Sequence, residues 1–140
     1  MSAITNMLDG FVNKTMVEPE IVQKWGLGTI DEWRPGYVKK VWCVAKSHLL
    51  GTSLFGGCIA ALADQMLAFP AITLQQDGEF CATSNLTLSY LKPVREGQLI
   101  IEAEVVSRRG KSFYVEAKFS QNNELVAKAA ATQITVVGPR

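Results

Sequence analysis

The sequence has few of the residues that mark disulfide-rich or zinc-binding proteins. It contains one histidine and three cysteines, and no two cysteines have CxxC spacing. Neither a disulfide framework nor a metal site is predicted, and Cys43, Cys58 and Cys81 are expected to be reduced thiols. The first residues also lack the basic segment and long apolar stretch of a secretory signal, so a cytoplasmic location is expected.

An excess of charge of one sign is also missing. Lys and Arg number 14 and Asp and Glu 13, which gives a formal net charge of +1. Binding to nucleic acid or to an anionic membrane surface is therefore not predicted. A hydrophobic content of 48% over 140 residues is typical of one globular domain. We expect a single domain over residues 1–140, of which residues 1–25 form a helical N-terminal extension.

No uninterrupted apolar run is long enough to cross a membrane. The segment 49–74 has the required length, but glycines crowd its first third, Asp64 and Gln65 lie at its centre, and Pro70 interrupts its second half. An ionised group at that depth costs several kcal/mol. We therefore predict no membrane-spanning helix.

What the sequence does contain is one long apolar segment with helical length. From Phe55 to about Phe69 it is apolar on all sides, which is typical of a helix enclosed by protein. Its many glycines and alanines would let other backbone approach closely. The only carboxylate in this segment is Asp64, so the sequence predicts an aspartate in apolar surroundings.

After this helix the hydrophobic period changes to two, which indicates β-strands. In EFCATSNLTLSYL the alternation predicts one face with Phe80, Ala82, Leu86, Leu88 and Tyr90, and the other with Thr83, Asn85, Thr87 and Ser89. Three more alternating segments follow, separated by short turn sequences, and two extended pieces precede the helix. The predicted fold is α+β, with an antiparallel sheet wrapped around one long central helix.

The spacing of three short motifs points to a family. Phe55-Gly56-Gly57 opens the central helix, Asp64 lies nine residues after the phenylalanine, and YLKP begins about 26 residues beyond the acid. This pattern resembles the hotdog-fold acyl-CoA thioesterases of the 4-hydroxybenzoyl-CoA and phenylacetyl-CoA type. The similarity extends from about Gly26 to Val136.

The resemblance implies roles for individual residues. Family members have an N-x-x-G loop, then H-G-G or F-G-G, then a catalytic acid at the position of Asp64. A Ser or Thr at the position of Thr83 often holds the water or the acid, and Ser84 follows it. The usual Asn is absent, and His48 stands three residues before Gly51. Whether His48 takes over its role is left open.

The chemistry of thioester hydrolysis fits these positions. The unpaired amides at a helix N-terminus would polarise the carbonyl, and glycine at positions 56 and 57 would let a substrate come close. Asp64 would act as a general base or as a nucleophile. Eight residues of helix separate Gly56 from Asp64, or roughly 12 Å. One thioester carbon cannot reach both, so the sequence predicts sites shared between the two chains of a dimer. The resemblance implies a homodimer or a dimer of dimers.

Each candidate also has a plainer interpretation. Asp64 could face solvent or pair with Arg95, and Gly56 and Gly57 could serve close packing alone. Phe55 could line the acyl pocket or belong to the core, His48 could be a surface histidine, and Thr83 an ordinary strand residue. A basic hairpin, which could contact the phosphates of coenzyme A or simply be solvated, contains Arg108, Arg109 and Lys111.

The first hypothesis is hydrolysis of an acyl-CoA thioester by water, without a metal or a tightly bound cofactor, coenzyme A being part of the substrate. The alternative is a hotdog module that binds acyl-CoA and hydrolyses it poorly or not at all. A hydratase or dehydratase ranks last, because His48 lies outside any motif that pairs a histidine with an acid. Neither the acyl group nor the choice between dimer and tetramer is indicated by the sequence.

Overall fold

The computed structural model describes residues 2–138. Within these residues three α-helices, one short 3-10 helix (Lys46–His48) and eight strands follow one another. They are α1 (Ala3–Val12), α2 (Glu20–Trp25), β1 (Glu32–Arg34), β2 (Tyr37–Val44), β3 (Leu49–Leu50), β4 (Ser53–Leu54), α3 (Gly56–Ile72), β5 (Glu79–Tyr90), β6 (Gly97–Arg109), β7 (Ser112–Gln121) and β8 (Glu124–Val137).

Six strands form one antiparallel sheet in the order β1-β2-β6-β7-β8-β5, and β3 pairs with β4 separately. The long helix α3 packs across this sheet. The predicted α+β hotdog arrangement, a sheet wrapped around one central helix, is confirmed. Strand β5 forms one edge of the sheet, and no other described strand lies along its outer side from Thr83 to Tyr90.

The inner face of the sheet and one side of α3 form the core. On the helix, Leu62, Ala63, Met66 and Leu67 are fully buried. They meet the inward residues of the alternating strand β7, namely Phe113, Val115, Ala117 and Phe119, which are 0–1% exposed. Burial of each large side chain contributes about 1.5–3 kcal/mol, so this contact fixes α3 on the sheet.

The prediction that α3 is enclosed on all sides is wrong for the described chain. Gly57 and Asp64 are exposed, and several alanines between them are only half-buried. An all-apolar helix indicates that each of its faces is buried against protein. The pattern does not distinguish burial by the same polypeptide from burial by a second one. Here the sheet covers one face of α3 and leaves the opposite one open.

The predicted faces of β5 are also wrong in part, because the strand contains a β-bulge. Its pairing with β8 shifts register between Thr83 and Asn85, so Ser84 is an extra residue. The bulge reverses the alternation. Thr83 therefore points toward α3, on the same face as Leu86 and Leu88, which pack against the core.

The N-terminal helices pack beside the C-terminal half of α3. Ser2 caps α1 by accepting a hydrogen bond from the amide of Thr5 (3.0 Å), and Phe11 meets Phe69 edge to face with ring centroids 6.1 Å apart. Helix α2 ends at Gly26, whose φ of 63° suits glycine. Between residues 2 and 138, no helix is both long enough and apolar enough to cross a membrane.

Candidate active site

The exposed face of α3 carries a short polar chain that ends at Asp64. Thr83 Oγ1 lies 3.2 Å from Asp64 Oδ1 and 3.1 Å from Gln133 Oε1. Thr83 and Gln133 are directly opposite each other on β5 and β8. Asp64 is exposed, whereas Gln133 is fully buried. The three hydrogen-bonded side chains therefore connect the core of the sheet to a carboxylate at the surface.

The available hydrogen atoms decide which group donates in this series of polar side chains. The Thr83 hydroxyl has one hydrogen, so it donates to only one of the two acceptors. Nε2 of Gln133 is buried and has no hydrogen-bond partner in the part of the chain that the structure describes. Exchanging the two ends of the amide, which have nearly the same shape, lets Nε2 donate to Thr83 and leaves the hydroxyl hydrogen for Asp64. That orientation suits an ionised carboxylate, which only accepts hydrogen bonds.

A second group of donors lies at the N-terminus of α3. Phe55 precedes the helix without a side-chain cap, and none of the hydrogen bonds among residues 2–138 uses the amides of Gly56 or Gly57. These two N–H groups, at the positive end of the helix dipole, are free to bind an anionic or polarised oxygen. Phe55 itself is 51% exposed beside them.

Tyr90 was not predicted as a site residue, yet it contacts Gly56. Its hydroxyl donates to the carbonyl oxygen of Gly56 (2.8 Å), and a Cβ added at position 56 would lie 3.3 Å from that hydroxyl. Only glycine fits without a shift of the tyrosine. A cavity of about 290 Å³, between Ser53 and Val94, also borders Tyr90.

His48 lies before α3 and makes local contacts. Its Nδ1 accepts a hydrogen bond from the amide of Ala45 (2.9 Å), and its ring lies 4.6 Å from the ring of Trp42. No hydrogen bond among the described residues joins it to Asp64 or Thr83. In this chain His48 therefore holds the turn that leads into β3.

Other candidates lie farther from the carboxylate. Arg95 donates to Thr52 (2.9 Å) and makes no ion pair with Asp64, and Ser84 donates to the Thr132 carbonyl (3.4 Å). The Arg108 guanidinium covers the ring of Phe113 at 4.6 Å. Arg108 is three strands from Thr83, or about 14 Å at the usual strand spacing. The basic residues of that hairpin, Arg108, Arg109 and Lys111, are all exposed.

A buried lysine next to the site also escaped prediction. Lys40 is 2% exposed and donates to the Leu27 carbonyl (2.8 Å) and to Oε1 of Gln65. Nε2 of Gln65 in turn donates to the Gly28 carbonyl (2.5 Å). Burial lowers the pKa of Lys40 to about 7. The sequence held a signal: Lys40 occupies an inward position of the alternating strand β2.

The described residues contain no group of three or more His, Cys, Asp or Glu side chains that could hold a metal ion. No disulfide joins the cysteines of the described residues; Cys43 is exposed, Cys58 is half-buried and Cys81 is buried. The chemistry available at this face is therefore that of a carboxylate, a hydroxyl and backbone amides. Such a set suits acid–base work on an acyl carbon.

Comparison with known proteins shows the family and the fold of the chain. The model of the thioesterase superfamily matches residues 51–128, more than half of the chain. A candidate esterase of Saccharolobus solfataricus is 28% identical over 127 residues, which are 88% of this chain and 82% of that protein. The phenylacetic acid degradation-related protein of Ralstonia eutropha JMP134 has a TM-score of 0.80 and 26% identity, covering 92% of this chain and 99% of that one.

A further solved structure, a Streptococcus mutans UA159 protein bound to acetyl-CoA, has a TM-score of 0.70 and 23% identity, covering 80% of this chain and 90% of that one. At that identity the likeness concerns the fold alone. The family match includes the start of α3, Asp64 and Thr83. The chain belongs to the thioesterase superfamily, and its fold is the hotdog fold of that family.

Proposed function

We propose that the protein hydrolyses an acyl-CoA thioester to a free acid and coenzyme A in the cytoplasm. The observation that carries this proposal is the carboxylate of Asp64, held by Thr83 on the open face of a helix whose N-terminal amides are free. Membership of the thioesterase superfamily supports hydrolysis of a thioester. The acetyl-CoA in the Streptococcus mutans structure supports coenzyme A as the carrier.

The site is completed by a second copy of the chain. Gly56 and Asp64 are eight residues apart on α3, so roughly 12 Å of helix separates them. The open face of α3, on which Asp64 is exposed, and the outer side of β5 from Thr83 to Tyr90 are available to a partner. In a homodimer, or a dimer of dimers, Asp64 of one chain would lie opposite the Gly56 amide of the other.

Asp64 acts as a general base in this mechanism. It takes a proton from water as the water oxygen attacks the thioester carbon, and the carbonyl oxygen gains negative charge. The Gly56 amide of the other chain donates a hydrogen bond to that oxygen. The C–S bond then breaks, and the sulfur leaves with a proton returned by Asp64. Attack by the carboxylate itself is the alternative route.

Gln133 is a positioning residue for this carboxylate. With Nε2 donating to Thr83, the threonine hydroxyl donates to one oxygen of Asp64, and the other oxygen is left for water. The chain Gln133–Thr83–Asp64 thus fixes which carboxylate oxygen takes the proton. In this mechanism Gln133 contacts neither the water nor the substrate, and it acts only through Thr83.

The remaining candidates would bind the substrate. Phe55 lies beside the free amides of Gly56 and Gly57, where the thioester would enter. Ser84 lies next to Thr83 at the exposed bulge. His48 would contact the substrate or water only from the partner chain. The phosphates of coenzyme A would meet the exposed basic hairpin, which contains Arg108, Arg109 and Lys111.

The test is thiol release from a panel of acyl-CoA esters by the wild type and by Asp64→Asn. We expect turnover by the wild type and a loss of about 10²-fold or more in kcat for the variant, as expected when a general base is removed. Equal rates would remove Asp64 from the mechanism. Binding of acyl-CoA without turnover by the wild type would favour the alternative function, an acyl-CoA-binding module.

A further inference from the structure

A second cavity, larger than the one at Tyr90, lies between the N-terminal helices and the C-terminal half of α3. Its volume is about 480 Å³. An apolar cavity of about 150 Å³ already holds benzene, and ligand pockets commonly measure about 300–1,000 Å³. The apolar side chains that surround it include Ile4, Met7, Val22, Phe69, Ile72 and Cys81.

Four polar side chains of the cavity wall bind protein groups, namely Gln65, Gln75, Asp77 and Glu79. Gln65 donates to the Gly28 carbonyl and accepts from Lys40. Gln75, at the far end, donates to Thr135 Oγ1 (3.2 Å). With these amides already hydrogen-bonded to the protein, the interior offers mainly hydrocarbon contact. A ligand that is itself apolar suits such a space.

One end of the cavity adjoins the candidate site. Gln65 follows Asp64 on α3, and Cys81 precedes Thr83 by two residues on the same face of β5. The Cys81 thiol lies 3.8 Å from the carbonyl oxygen of Ala68, which marks where β5 and α3 touch. The cavity wall thus includes the neighbour of Asp64 on α3 and a residue two positions before Thr83 on β5, which places this end of the cavity close to the carboxylate.

The other end lies under the start of α1. Asp77 accepts hydrogen bonds from the amides of Ala3 (3.2 Å) and Ile4 (3.3 Å), which hold this helix start across the cavity. Along α3 the lining extends from Gln65 to Ile72, or about 10 Å. With carbon–carbon bonds of about 1.5 Å, an extended chain of roughly eight carbon atoms has that length.

We infer that this cavity takes the apolar tail of the acyl group, so that the substrate is a medium-chain acyl thioester such as octanoyl-CoA. The inference rests on the proposed function and adds the substrate class to it. The N-terminal helices then belong to the substrate site, since Ile4, Met7 and Val22 form one wall of the pocket. A very long chain would have to displace α1.

Neighbouring positions on α2 provide a matched test. Val22 lines the cavity, whereas Ile21 is 53% exposed. Hydrolysis of acetyl-, octanoyl- and palmitoyl-CoA is measured for the wild type, Val22→Trp and the control Ile21→Trp. We expect the wild type to prefer octanoyl-CoA, and Val22→Trp to lose about tenfold or more in kcat/KM for it while acetyl-CoA stays within about twofold. Ile21→Trp should match the wild type with every substrate.

Calorimetric binding of octanoate gives a readout that needs no hydrolysis. We expect octanoate to bind the wild type and Ile21→Trp. We expect Val22→Trp to lose this binding. If octanoate binds in this way but no thioester is hydrolysed, the proposed function fails and the apolar pocket stands. If thioesters are hydrolysed without preference for chain length, and the two tryptophan variants behave alike, the pocket is overturned and the function stands.

A tryptophan in α2 could also disturb folding, so a second pair repeats the test from α1. Met7 lines the cavity and Asn6 is exposed. Circular dichroism and thermal unfolding identify the pair that keeps its fold. Met7→Trp is expected to reproduce the selective loss of octanoyl-CoA hydrolysis, with Asn6→Trp as its control. Equal behaviour of a folded pair would overturn the pocket.

Discussion

Thr83 Oγ1 lies 3.2 Å from a carboxylate oxygen of Asp64, although 19 residues separate the two in the chain. The bulge at Ser84 makes this contact possible. In a regular strand, residues three apart lie on opposite faces, so an inward Leu86 would leave Thr83 on the other face of β5. The irregularity in β5 thus joins the sheet to the acid on α3.

Thr83→Val is expected to lower kcat about tenfold. The variant keeps the shape of the side chain but removes the hydroxyl, and a hydrogen bond to a charged group contributes about 1.5–3 kcal/mol. Thr83→Ser, which keeps the hydroxyl, is the control and should retain most of the activity. Steady-state hydrolysis of the best substrate gives the comparison. Equal losses in both variants would assign Thr83 a packing role only.

Gln133→Met tests the positioning role of the buried amide. We expect kcat to fall about threefold to tenfold while KM is nearly unchanged, because the amide orients Thr83 and contacts no substrate. Thermal stability should stay level or rise, since the variant removes a buried polar group that is only partly hydrogen-bonded. A large drop in stability, with kcat preserved, would show that Gln133 serves only the fold.

Stability should depend on pH through Lys40. Burial lowers its pKa from 10.5 to about 7, so the unfolded chain binds more protons than the folded chain between these values. The free energy of unfolding therefore rises with pH across that window, by up to about 1.4 kcal/mol per pH unit. Urea unfolding at several pH values between about 7 and 10 measures this slope.

Lys40→Met should flatten that slope, and Lys39→Met is the matched control. Lys39 is the next residue on β2 and points to the opposite face. The control should keep the pH dependence of the wild type. A steep slope that survives Lys40→Met would place the titrating group elsewhere in the chain.

The sequence predicted the fold well because its periods are regular. The alternation in β7 identified four inward residues that are 0–1% exposed, and the length of the apolar segment identified α3. The bulge in β5 breaks such a pattern by a single residue. No local composition marks Ser84 as the extra position, so the residues of β5 that precede it were assigned to the wrong faces, whereas Leu86 and Leu88 beyond it were assigned correctly.

The site was less predictable, because its contacts join distant segments. Gln133 meets Thr83 through a pairing of strands 50 residues apart, which no local pattern reveals. Lys40 could have been predicted more easily, because it occupies an inward position of the alternating strand β2. A lysine at such a position needs hydrogen-bond acceptors that are also buried. The exposure of Asp64 depends on what covers α3, and helix periodicity does not distinguish the chain's own sheet from a second copy.

The central claim is that Asp64 and Gly56 of different chains form one site, and mixing two inactive variants tests it most directly. Asp64→Asn lacks the base, and Gly56→Val would obstruct the amide beside Tyr90. In a mixed dimer, one of the two shared sites has both native residues. Equal amounts, refolded together, should recover about a quarter of wild-type activity, because half of the dimers are mixed and each has one intact site. Activity no higher than that of the separate variants, with mixed dimers demonstrated by mass spectrometry, would contradict the shared site.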